Sequence, residues 1–65
     1  MNREQAKAAA AAALVLGLSP VVYRWYPEEG GVSFGIEFRG VGEETLKGFF
    51  PNHQVIVRGG LPSIQ

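Results

Sequence analysis

The apolar and polar positions fall into two regimes that meet near Pro20. From Ala8 to Leu18 the chain is continuously apolar, and from Ala8 to Tyr23 it carries no charge. Beyond Pro20 the pattern becomes extended. Val32, Phe34, Ile36 and Phe38 alternate with Ser33, Gly35, Glu37 and Arg39, the period-two signature of a strand with one wet face.

The front segment has the signals of a helix over Arg3 to Leu16. Asn2 is a favoured N-cap, and Gln5 three residues later completes the Asn variant of a capping box. Alanine is the strongest helix former, and Gly17 stands where a helix closes at C′, with Ser19 and Pro20 preventing continuation. A helix this rich in Ala lets another backbone approach closely. It either lies on the chain's own sheet or meets a helix of a neighbouring subunit.

A membrane span over residues 8–23 is the competing reading, because Tyr23, Trp25 and Tyr26 follow the apolar stretch as an interfacial belt would. Sixteen helical residues reach only about 24 Å against a hydrocarbon layer about 30 Å thick. Pro20 also interrupts the helix before the aromatic residues. A cleaved signal peptide is disfavoured by the weakly basic start and the lack of an A-x-A pattern after Leu18.

In the remainder, Val21 to Tyr26 reads as a first strand and Pro27 to Gly31 as a turn. The alternating run to Arg39 is the second strand. Glu43 to Lys47 suits a short helix ended by Pro51, with Leu46, Phe49 and Phe50 at the spacing of one inward stripe, so that Phe49 or Phe50 caps the core. Gln54 to Arg58, apolar on both faces, reads as a covered or central third strand, and Gly59 to Gln65 as an extended tail. The expected fold is α+β, in the order α-β-β-α-β, with the N-terminal Ala-rich helix on a three-stranded sheet. It forms one domain over 1–65: helix at 2–17, β-rich part at 20–58, tail at 59–65.

Composition changes this picture by elimination. A chain of 65 residues without Cys, with one His and with 46% apolar residues has no disulfide and no obvious metal set with which to supplement a small core. Oligomerisation or docking is left. Six basic and six acidic residues, scattered along the chain, argue against a nucleic-acid surface. No phosphate-binding loop is present, and His53 has no nucleophile context or orienting Asp, so neither catalytic residues nor a cofactor or metal are expected. The expectation is a non-enzymatic structural or interaction subunit of a homo- or hetero-oligomeric assembly, virion-like assemblies included. It resides in the cytoplasm or within that assembly, and its partners are proteins or further copies of itself. The candidate contact residues are Ala9, Ala10, Ala13 and Leu14 on the helix, Tyr23, Trp25 and Tyr26 in the aromatic cluster, and Val55 and Val57 on the third strand. The alternatives are a small membrane-anchored protein and an inhibitor that binds through a sheet edge.

Overall fold

A computed structural model describes all residues, 1–65. Helix α1 (Arg3–Val15) is followed by β1 (Ser19–Trp25), β2 (Ser33–Arg39), α2 (Glu43–Phe49), β3 (Val55–Arg58) and β4 (Leu61–Ile64). The α+β class holds. The strand count is corrected from three to four, and the chain runs as two successive α-β-β units. The sheet is antiparallel throughout, in the order β1-β2-β4-β3, so the second hairpin docks by its last strand against the last strand of the first.

The segment expected to be a tail therefore lies inside the sheet. Gly59 and Gly60 both take positive φ, 57° and 80°, between the paired Arg58 and Leu61, as a two-residue type I′ hairpin turn requires. Pro62 is tolerated there because the β2–β4 ladder is only two pairs long, Ile36 with Ile64 and Glu37 with Ser63, and ends before it. With β4 taking the central place, β3 becomes an edge strand rather than the covered one its composition suggested.

The ends of α1 follow local chemistry. The Asn2 side chain accepts from the Gln5 amide at 2.8 Å, and the Gln5 side chain accepts from the Asn2 amide at 2.9 Å. At the other end the Leu18 amide donates to Ala13 and the Gly17 amide to Leu14, with Gly17 at φ 78°, a complete Schellman motif. Asn2→Ala removes the side-chain acceptor of the Gln5 amide, one half of the box, and is expected to cost about 1 kcal/mol. Thermal unfolding followed by far-UV circular dichroism should show a melting point lowered by roughly 4 to 8 °C for each kcal/mol. An unchanged melting point would mean that the box is formed but idle.

Both helices lie on one face of the sheet and the other face is bare. Ala9 and Ala13 of α1, Leu46 and Phe50 of α2, and Ile36, Phe38 and Ile64 of the sheet form one cluster. Phe38 and Phe50 meet at 5.8 Å between ring centroids. Of the stripe expected on α2, Leu46 and Phe50 point in, while Phe49 is exposed. The small Ala side chains let α1 sit close on β1 and β2, which brings the floor of the sheet near the helix flanks.

Candidate interaction surface

The residues proposed as contacts separate into four places. Ala9 and Ala13 are buried beneath α1 against the chain's own sheet, whereas Ala10 is half-buried on the helix flank and Leu14 is 65% exposed. Tyr23 and Trp25 are half-buried, and Tyr26 projects just past the end of β1. Val55 packs against the core under α2, while Val57 is half-exposed on the far edge. On the outer flank of α1 the structure brings Ala10 and Leu14 together, and it adds Val22 and Phe34 to them.

These four line a groove between α1 and β1, with Ala11 and Lys7 on the helix side. Val22 reaches it because strand alternation puts Pro20, Val22 and Arg24 on the helix side of the sheet, and β1 is an outer strand with nothing beyond it. Arg3 lies over the Phe34 ring, 5.8 Å from its centroid, at the groove's end. Val15 and Leu16, at the C-terminal end of α1, are exposed as well. Sequence reasoning missed Val22 and Phe34 because alternation tells which face a residue takes, not which strand is outermost.

A second depression separates the two helices and is lined by Ala8, Ala12, Phe49, Phe50, Asn52 and His53. His53 meets Phe50 edge-on, ring centroids 6.0 Å apart. Glu43 and Glu44 on α2 both pair with Lys47, at 3.4 and 3.3 Å, and the Lys47 ammonium titrates above its ordinary value, chiefly through the hydrogen bond from Lys47 to Glu44. No three ligating side chains gather in a geometry suited to a metal ion. No helix is long and apolar enough to cross a membrane, and residues 19–23 of the segment considered as a span belong to β1.

The bare sheet face is organised by Tyr23. Its ring crosses Gly35 on β2, its hydroxyl shares a 2.5 Å hydrogen bond with the buried Ser63 hydroxyl on β4, and it accepts from Gln65 Nε2 at 2.9 Å. Arg58 from β3 lies over the same ring, 5.9 Å from its centroid. One side chain thus ties together the strands of both hairpins. The Trp25 indole N–H is covered and has no hydrogen-bond partner within the chain. The Ser33 hydroxyl accepts from the Met1 amine at 2.9 Å, so two of the chain's serine hydroxyls serve the fold. Tyr23, Ser63 and Gln65 are hydrogen-bonded to one another on this face, whereas the α1–β1 flank is lined mainly by apolar side chains, with Arg3 and Lys7 beside them. No protein family, curated protein or solved structure matches the chain.

Proposed function

We propose that the chain is a non-enzymatic structural or interaction subunit that completes its core against neighbouring protein chains in a homo- or hetero-oligomeric assembly. The observation that carries this reading is the groove in which Leu14 and Val22 stand exposed with Ala10, Ala11 and Phe34 beside the unpaired edge of β1. The total accessible surface, 4264 Å², is close to the roughly 4,000 Å² that mass scaling gives for a compact monomer of this size. The fold is therefore not loose; the composition of its surface is what asks for cover. Only 11 residues are buried, and five of the eight apolar side chains of the core come from the sheet and α2 rather than from the Ala-rich helix. A core of that size supplies about 3 to 5 kcal/mol at most, so covering further apolar area adds stability that the monomer lacks.

Sedimentation velocity without detergent tests this. Over a micromolar concentration series, the expected result is a sedimentation coefficient that rises with concentration. A well-folded species that stays monomeric throughout overturns the self-associating form of the reading, and failure to recover any protein partner from the native source overturns the rest.

A further inference from the structure

The sheet has two open edges, and they are unequal. The β3 edge is four residues long and ends in Arg58, whereas the β1 edge runs for seven residues and carries a single charge, Arg24. Short length discourages strand addition at β3, whereas β1 is long enough to form a full ladder, blunted only by Arg24 and Pro20 on either side of Val22. Building on the assembly reading above, we propose that a second copy of this chain pairs antiparallel with β1 about a two-fold axis through Val22, making one continuous eight-stranded sheet.

Self-complementarity of the strand supports this register. With Val22 on the axis, all seven residues overlap: Tyr23 comes opposite Val21 of the second copy, Arg24 opposite Pro20, and Trp25 opposite Ser19. The only charge, Arg24, meets no like charge. Proline sits in an edge strand where its nitrogen faces away from the existing ladder, so Pro20, Val22 and Arg24 turn their backbone groups outward. The two Val22 residues then exchange a pair of hydrogen bonds, and each Arg24 amide donates to a Pro20 carbonyl, so Pro20 forfeits one donor per copy and breaks nothing else.

The helix layer fits the same axis. Since α1 packs over β1 and β2, it lies about one strand spacing from the axis, half a spacing to β1 and half again to the middle of the β1–β2 pair. At 4.7 to 4.9 Å per strand the two copies of α1 fall roughly 10 Å apart, the distance at which packed helices meet. The flanks they present hold Ala10, Ala11 and Leu14, with Arg3 and Lys7 toward the start of the helix and Val22 and Phe34 beneath, and the Ala residues permit that approach. A two-fold pairing buries both copies of the groove at once and closes, whereas β1 adding to β3 of the next copy gives an open chain.

The absence of cysteine makes the test direct. Across a hydrogen-bonded antiparallel pair the Cα atoms stand about 5.5 Å apart, within disulfide range, so Val22→Cys should cross-link to a dimer under mild oxidation. Val57→Cys on the other edge is the control, because Val57 and Val22 are similarly exposed, 50% and 46%. Val22→Cys should react about tenfold faster or more, as a preassembled pair raises the local thiol concentration. Val22→Lys should shift the native dimer to monomer, with its circular dichroism spectrum unchanged. If the unsubstituted chain is monomeric, the self-assembly reading and this pairing fall together. If it associates yet Val22→Cys reacts no faster than Val57→Cys and Val22→Lys still associates, this pairing alone is overturned. Growth beyond a dimer, with both thiols equally reactive, overturns it in favour of edge-to-edge chains.

Discussion

Phe38→Ala is expected to leave the chain unfolded at room temperature. The Phe38 side chain is fully buried at the junction of both helices and packs against Phe50. Truncating a buried Phe to Ala costs about 3 to 5 kcal/mol, part lost transfer free energy and part residual cavity. A core of this size provides about the same amount in total. Ala9 and Ala13 are the α1 side chains that adjoin the site, and they have no rotamers with which to fill a void. Trp25 fluorescence and far-UV circular dichroism, recorded at one fixed protein concentration, should show no cooperative thermal transition. Phe38→Leu keeps much of the volume and should retain a transition, with a lowered midpoint. A Phe38→Ala protein that still melts cooperatively, only a few degrees below the parent, would mean that the core is worth far more than its size suggests.

What could be read from the chain was whatever local chemistry decides. The Asn2 and Gln5 box, the stop at Gly17 and the alternation through Phe38 each depend on neighbours in sequence, and each is present. The fourth strand was not legible because Leu61-Pro62-Ser63-Ile64 is short, contains Pro and shows no alternation. Its strand character comes from position: Gly59 and Gly60 fold it back on β3, and β2 receives Ile64 and Ser63. The Gly-Gly pair was the available signal, since two glycines flanked by extended residues favour a hairpin. The choice between Phe49 and Phe50 was open for a related reason. Their spacing allows either to face inward, and only the docking of α2 on β3 and β4 selects Phe50.

The candidate surface was legible in kind but not in place. Apolar excess in a small uncrosslinked chain points to contacts with other molecules, and the Ala-rich helix was the natural suspect. Ala9 and Ala13, however, are occupied by the chain's own sheet. What remains exposed is the flank, where Ala10 and Leu14 meet Val22 and Phe34 from strands distant in sequence. Such a juxtaposition depends on strand order, which one sequence does not disclose when each strand is only four to seven residues long.

Gly35→Ala sets two effects against each other, and the larger decides the sign. Gly35 has no positive φ, so its backbone accepts any residue, and restricting the unfolded chain would by itself stabilise the fold by about 0.4 to 1 kcal/mol. A Cβ at this position, however, falls 2.5 Å from Tyr23 Oη and 2.9 Å from Cε1, inside the ring that lies across it. The ring has to leave. Its departure breaks the hydrogen bonds to Ser63 and Gln65, about 0.5 to 1.5 kcal/mol each, before lost packing of the ring is counted. The net expectation is destabilisation by roughly 2 kcal/mol, read as a midpoint lowered by about 8 to 16 °C. A double-mutant cycle isolates the cause: with Tyr23→Ala already in place, Gly35→Ala should be neutral or stabilising, because only the backbone effect is left. Equal losses in both backgrounds would show that Gly35 matters for a reason other than the tyrosine laid over it.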